Sequence, residues 1–328
     1  MHVSARGSNH SATPSDVVPI IVVGANGLIG RAVMVALAEH PLYAVSAISR
    51  HDVLNVPSGV SATRCDIRDA TAVRAAIQGH KVVVHCATYV GADPKYLQSI
   101  NVCGTQNVIE AARSADKAHV LYLSTAGVYG TLATSGEMEG DYAVSPESAL
   151  SQSRATAEDH VLEYGGSIVR PLFVTGVGDR HFLLPLAQAL LRLGTWVDEG
   201  KARLSVTSAA ELGRTVVDIC RPLIDGQCPR VLHATSTNPS SVRSLLTPIF
   251  EGVGVRLRES VQPEQALALA ASQGIPVRKF QQFTQDYFIG GTTVAQHSKH
   301  LVSATGIPVG DDLKWYVNEV RSALLASV

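Results

Sequence analysis

The stretch Val22-Val23-Gly24-Ala25-Asn26-Gly27-Leu28-Ile29-Gly30 constrains this chain more than any other. An apolar run, Val18–Val23, leads into it, and a segment of helical period, Leu28–Glu39, leads out. Glycines spaced three apart between a strand and a helix impose a turn that side chains would obstruct. Gly24 permits the turn itself. Gly27 lets backbone N–H groups approach a pyrophosphate, and Gly30 lets the helix lie close on the sheet. Asn26, Leu28 and Ile29 complete the loop, and the helix N-terminus turns partial positive charge toward the phosphates. The turn predicts a dinucleotide-binding α/β fold.

The same alternation continues downstream. Apolar runs at Ala44–Ile48, Ser61–Cys65, Lys81–Cys86, His119–Ser124 and Ser167–Val174 read as parallel strands covered on both faces. Between them, Ala70–Gln78, Pro94–Ala115 and Ser148–Tyr164 read as helices. Alternation of this kind implies right-handed crossovers and a doubly wound parallel sheet of Rossmann type. After about residue 175 the pattern loosens into helices at Phe182–Leu193, Ala209–Ile219 and Pro239–Gly252, with short strands near Arg203–Val206 and Arg230–Thr235. The expected organisation is a floppy tail over 1–17, an NADP-binding domain over 18–175, and a smaller C-terminal substrate lobe over 176–328. Some segments of that lobe return to the first domain.

Composition removes several function classes. Lys and Arg number 27 against 28 Asp and Glu, so no basic face is on offer to nucleic acid or anionic lipid. Five cysteines without a CxxC pair read as buried hydrophobes in a reducing cytosol. The polar N-terminus lacks the apolar core of a signal peptide, and no run is apolar enough to span a bilayer. His297-x-x-His300 has no third ligand nearby, so no metal is expected. What remains is a cytoplasmic protein acting on a small molecule.

The second strand ends Ile48-Ser49-Arg50-His51. An NAD-binding chain places Asp or Glu there to accept hydrogen bonds from the ribose 2′-OH, whereas Arg50 would pair with a 2′-phosphate. Asp52 is close enough in sequence to reach the ribose. NADPH is expected in preference to NADH.

With Gly24–Gly30, Cys65-Asp66-Ile67, His85-Cys86-Ala87, Asn101-Val102-Cys103-Gly104-Thr105 and Leu123-Ser124-Thr125-Ala126-Gly127-Val128-Tyr129-Gly130, the sequence resembles the extended short-chain dehydrogenase/reductase superfamily. That group includes NDP-sugar epimerases, dehydratases and ketoreductases. The resemblance implies that Asp66 and Ile67 flank the adenine and that Cys86, Ala87 and Thr88 line the inner ribose. It also implies that Asn101 steadies the active-site helix, and that Arg170-Pro171-Leu172 sets backbone beside the nicotinamide. A narrower similarity is to 4-ketoreductases of actinobacterial deoxysugar pathways. It runs through His85–Gly91, Ser148–Arg154, Gly176–Phe182 and Trp196–Val206. It implies reduction of the C4 ketone of an NDP-4-keto-6-deoxyhexose on the way to a glycosylated natural product such as an antibiotic.

One departure stands out. The superfamily's chemistry rests on Tyr-x-x-x-Lys, and here Leu150 and Arg154 occupy those positions. Arg154 can still hydrogen-bond ribose hydroxyls, but Leu150 can donate no proton. Thr125, at the family's catalytic Ser/Thr position, offers a hydroxyl beside Ala126. Tyr89 follows the fourth strand, and Tyr142 and His181 lie on loops within reach of the same space. Cys86 beside His85 reads as a packed thiol. Arg180 and Arg192 are candidates for a substrate diphosphate. Trp315-Tyr316 reads as an anchor for the C-terminus or a homodimer contact. Three readings stay open: sugar-nucleotide reduction with another proton source, reduction of a polyketide or aromatic ketone whose own phenol donates, and a silent NADPH-binding regulator.

Overall fold

The computed structural model describes residues 17–130, 134–275, 283–290, 298, 300 and 305–326. The expected N-terminal tail and His297 lie outside the described residues, apart from Val17. Seven strands form one parallel sheet: β1 (Val18–Val23), β2 (Tyr43–Ser49), β3 (Ser61–Arg64), β4 (Val82–His85), β5 (His119–Leu123), β7 (Ser167–Arg170) and β12 (Val231–His233), β6 lying elsewhere. Their order is β12-β7-β5-β4-β1-β2-β3. Crossovers run one way from β1 to β2 and the other way to β4, so a crevice opens between β1 and β4 at the strands' carboxyl ends.

Inside the exposed edge strand β3 the sheet is covered on both faces, which is why its other strands read as near-continuous apolar runs. On one face, α1 (Leu28–Ala38) presents Val33, Met34 and Leu37 to Ile20, Val22, Val82 and Leu121. On the other, α2 (Ala70–Ile77), α4 (Cys103–Ser114) and α5 (Ala149–Tyr164) cover Val23, Val83, Val120, Tyr122 and Ile168. Asp69 caps α2 by accepting from the N–H groups of Thr71 and Ala72. Ser148 caps α5 in a reciprocal box with Ser151.

Four sequence expectations change. The helix expected over Pro94–Ala115 is a short α-helical piece, α3 (Pro94–Tyr96), then a π-turn over Leu97–Val102, then α4. The wide turn holds Asn101 fully buried. The run Ser167–Val174 breaks at Pro171, which has no N–H for a ladder, and its second half, β8 (Phe173–Thr175), leaves to pair with β11 (Val206–Ser208). The strand expected over Arg203–Val206 is likewise divided, with β10 (Arg203–Leu204) in a separate sheet. The strand near Arg230–Thr235, read with the lobe, is the seventh strand of the main sheet beside β7.

The helix expected at Ala209–Ile219 also serves the main sheet. It runs to Ile224 as α7 (Ala209–Ile224) and packs Leu212, Val216, Ile219 and Cys220 against α1's layer. A second core gathers α6 (Leu183–Leu193), Trp196, α8 (Val242–Gly252), α9 (Pro263–Ser272) and α10 (Gly310–Leu325). Tyr316 of α10 is fully buried and donates to Asp179, so the C-terminal helix is anchored inward. No helix of the described residues is long and apolar enough to cross a membrane.

Gly213 sets the spacing of α7 on α1: a β-carbon there would stand 2.6 Å from the Ala32 carbonyl oxygen. Gly213→Ala should force the helices apart and destabilise the fold by about 1–3 kcal/mol, the usual cost of overpacking. Thermal unfolding checks this, and an unchanged melting temperature would refute the packing account.

Candidate active site

A cavity of about 480 Å³ opens at the crevice between β1 and β4. Its floor is the glycine turn, Gly24, Asn26, Gly27, Leu28, Ile29 and Gly30, and its outer end is Ser49, the last residue of β2, with Arg50 and His51 after it. Cys65, Asp66 and Ile67 close one side, and Cys86, Ala87, Thr88, Tyr89 and Val90 the other, with His181 reaching in.

The glycines are required for different reasons. Gly24 has φ +88°, and a β-carbon there would lie 2.6 Å from both the Cα and the N of Ala87. A β-carbon on Gly30 would stand 2.2 Å from the Gly24 carbonyl oxygen. At Gly27 the nearest atom would be 3.4 Å away, an ordinary contact, so nothing in the chain forbids a side chain there. A glycine at that lining position leaves room for a ligand to meet backbone directly. These residues fit a dinucleotide pyrophosphate.

Asn26 does not extend its side chain freely into the cavity. Its amide donates to the Asp52 carbonyl at 2.8 Å and its carbonyl oxygen accepts from Leu54 N–H at 3.0 Å, tying down the loop after β2. Asp52 is not part of the wall; Arg50 is. Arg64 donates to the Arg50 carbonyl. Asp66 is gripped by Arg68 at 2.6 Å, and those hydrogen bonds hold its carboxyl below the usual range. The outer end is therefore rich in cations, and its one lining carboxylate is already paired.

Asn101 is saturated. Its oxygen accepts from Tyr89 N–H (2.7 Å) and the Thr88 hydroxyl (3.2 Å), and its amide donates to the Tyr89 carbonyl (3.0 Å) and Ser153 Oγ (2.9 Å). It thus ties the loop after β4 to α5 one residue before Arg154. Arg154 is buried, donates to the Leu123 carbonyl, and lies 5.0 Å from the centre of the Tyr122 ring. It does not line the cavity, but its charge is felt at Cys86, which does.

Burial pushes the Cys86 thiol up to about 12, the opposite of a reactive thiolate. His85 donates from Nε2 to Thr105, whose own hydroxyl donates to the Asn101 carbonyl. Burial, helped by Arg154, pushes His85 down to about 3, so it stays neutral.

Thr125 caps the short turn Ala126–Tyr129, accepting from Gly127 N–H at 3.1 Å and leaving its hydroxyl hydrogen to be donated. Ala126 N–H donates to the Pro171 carbonyl, fastening this turn to the end of β7. Tyr142 sits apart from the cavity beside Tyr129, where a hydrogen bond to Glu137 raises its phenol's pKa. Arg180 is exposed and paired with Glu319, and Arg192 donates to the Gln273 carbonyl. Neither reaches the cavity. Leu150, half-buried on the first turn of α5, leaves the expected phenol position aliphatic.

A buried ionic pair escaped the sequence reading. Arg170 donates to Glu158 through Nε (3.0 Å) and Nη2 (2.5 Å), and through Nη1 to the Tyr129 oxygen (2.6 Å). An arginine inside the apolar run Ser167–Val174 was its available signal, since a buried charge must be paired.

A model of the NAD-dependent epimerase/dehydratase family matches residues 20–188, more than half of the chain. The chain belongs to that family. It is an NAD(P)-dependent enzyme of the reductase/epimerase type. It is 26% identical to a dTDP-4-dehydrorhamnose reductase of Mycolicibacterium smegmatis over 257 residues, 76% of this chain and 74% of that one. It is 24% identical to a 4-hydroxy-2-methyl-3-oxo-4-farnesyl-3,4-dihydroquinoline-1-oxide ketoreductase of Stigmatella aurantiaca, across 77% of this chain and 78% of the relative. In fold it is similar to a UDP-glucuronic acid 4-epimerase from Bacillus cereus crystallised with NAD. The TM-score is 0.71 at 18% identity, over 93% of this chain and 100% of the other.

His85 gives a pH test of this site. The unfolded imidazole takes up a proton near its ordinary value of about 6.5, while the folded one resists until about 3. Stability should therefore fall as pH drops from about 6.5 toward 3. His85→Gln should flatten that part of the curve of melting temperature against pH; parallel curves would show that His85 contributes nothing to it.

Proposed function

We propose that the enzyme reduces a ketone with NADPH, and that the ketone is C4 of a nucleotide-linked 4-keto-6-deoxyhexose. The observation that carries the cofactor assignment is the exchange of roles after β2, where Arg50 lines the cavity and Asp52 is turned out of it with its backbone held by Asn26. A guanidinium favours a 2′-phosphate over a 2′-hydroxyl.

Leu150 supports reduction over epimerisation. Epimerisation and dehydration need a base to withdraw a proton from the sugar, which an aliphatic side chain cannot supply. Reduction asks mainly for positioning and for stabilisation of the developing oxyanion. The bound cofactor supplies the hydride. Thr125 donates its hydroxyl hydrogen to the carbonyl oxygen, and Arg154 sets positive charge behind Cys86 at the inner end of the cavity. Tyr89 and His181 wall the substrate side, and the proton comes from a water or a substrate hydroxyl.

A second reading is reduction of an apolar or aromatic ketone. It is favoured by the engagement of Arg180 and Arg192 elsewhere, which leaves neither to hold a diphosphate. Tyr89 and Tyr96, with ring centres 5.3 Å apart, add an aromatic wall beside the cavity.

NADPH consumption separates the two. The purified protein is offered a dTDP-4-keto-6-deoxyhexose, its 2-deoxy counterpart and a polycyclic aromatic ketone in parallel. Turnover confined to the sugars supports the first reading, turnover confined to the aromatic ketone the second, and none at all defeats both. Arg50→Asp should shift kcat/KM from NADPH toward NADH, and Thr125→Ala should lower kcat by about 10- to 100-fold. An unchanged cofactor ratio or full turnover removes the respective residue from the mechanism.

A further inference from the structure

The Glu158–Arg170 pair belongs to a longer buried chain whose hydrogen-bond directions are all determined. Arg170 donates to the carboxylate and to the Tyr129 oxygen, so the Tyr129 hydroxyl donates onward to His233 Nε2 at 2.7 Å. His233 Nδ1 must then carry its proton, which it donates to the Gly290 carbonyl at 2.6 Å. The backbone N–H of His233 donates to Glu139 at 2.9 Å. Glu158, Arg170, Tyr129 and His233 are between 2% and 6% exposed.

The members come from parts of the molecule with little else in common. Glu158 lies one helical turn beyond Arg154 on α5, and both are buried. Tyr129 closes the turn that Thr125 caps. His233 ends β12, and Gly290 follows β15 (Tyr287–Ile289), which pairs with β6 (Thr134–Glu137) and β10 in the four-stranded sheet outside the main one. Ile289 of that outer sheet packs on Ala126 and Tyr129, and His233 adds the polar link: through it the backbone after β15 is hydrogen-bonded to the turn of Thr125 and, through Arg170 and Glu158, to the face of α5 that carries Arg154.

We infer that His233 is a positioning residue: with its proton on Nδ1 it holds the Thr125 turn and α5 in register with the outer sheet, and so sets the proposed hydroxyl donor, Thr125, and the buried charge of Arg154 behind Cys86. The inference rests on the ketoreductase reading for the roles of Thr125 and Arg154, though not for the coupling itself. The chain tolerates one protonation state only. A second proton on Nε2 would remove the acceptor of the Tyr129 hydroxyl hydrogen and set a second cation beside Arg170, and so weaken the link.

Among the described residues, the groups facing His233 are Glu139 and Asp141 from the segment after β6, Arg170 from β7 and Tyr129 from the turn, with Glu158 of α5 behind Arg170. Burial, helped by Arg170, holds the imidazole below its ordinary range, opposed by the hydrogen bond to Gly290 and by the two carboxylates. The link should therefore fail on the acid side of about 6.5, the ordinary histidine value.

Two variants test this in the full chain. His233→Phe keeps the ring's bulk and loses both hydrogen bonds. His233→Gln can accept from Tyr129 and donate to Gly290, and does not titrate. His233→Phe should lower kcat at least tenfold while leaving the dissociation constant for NADPH within twofold, since no member of the chain lines the cavity. It should also raise amide hydrogen exchange at Val128 and Gly130 at least tenfold. His233→Gln should restore both and abolish the acid limb of the wild-type kcat profile. Unchanged exchange in His233→Phe overturns the inference whether or not any ketone is reduced. Equal losses in the two variants, with the acid limb intact, also overturn it by reducing His233 to a packing residue. Raised exchange rescued by Gln, in a protein inert toward every ketone, supports the coupling and defeats only the ketoreductase reading.

Discussion

Everything at the site depends on how closely β1's exit can approach β4's. Gly24 and Ala87 meet backbone to backbone, in a space that a single β-carbon would fill. That contact closes the crevice to one side and directs both chains outward, one into α1 and the other past Thr88 and Tyr89 to Asn101. The cavity wall, the pinned loop after β2 and the tie to α5 are arranged around it. An excluded methyl group, with no strong attraction behind it, fixes where a dinucleotide can lie.

The interior beside the cavity is unusually polar for the middle of an α/β sandwich. Among the described residues, His85 Nδ1, the Tyr122 hydroxyl, Ser124 Oγ and Arg154 Nε are buried without a protein partner, and all belong to the carboxyl ends of β4 and β5 or to the helix above them. Such groups are costly unless water or a ligand satisfies them. Arg154 has no carboxylate of its own, because Glu158 is wholly engaged by Arg170. The Glu158–Arg170 pair, buried and doubly hydrogen-bonded, instead holds the frame in place.

Much of this was legible in the residues. Periodicity and the glycine spacing located β1, β2, β4 and β5 and the helices among them, because a strand buried on both faces has little choice but to be apolar; β3, exposed at the edge, was legible from its place in the alternation. Arg50 was legible from its place after the second strand, and Asp66 and Cys86–Thr88 from the resemblance; all of them line one cavity, since each follows a strand in the same doubly wound half. What escaped depends on tertiary return. The strand at Val231–His233 is too short to announce its sheet, and Tyr129 gains its meaning only when His233 arrives from more than a hundred residues downstream. Arg180 and Arg192 show the opposite case, of side chains whose partners lie far along the chain. Their sequence position suggested a ligand, but Glu319 and the Gln273 carbonyl were nearer.

The path of the chain has a consequence for synthesis. The sheet's last strand and the helix that seals one of its faces emerge only after β8, α6, β10 and β11 have been made. A nascent chain halted near residue 175 would hold β1, β4 and β5 with Ile20, Val22, Val82 and Leu121 covered by α1 alone. The dinucleotide half therefore cannot complete its interior before the ribosome has delivered residue 233, and until then it presents an open apolar flank of the kind that chaperones bind. Cutting the gene at the apparent boundary would leave that flank permanently bare.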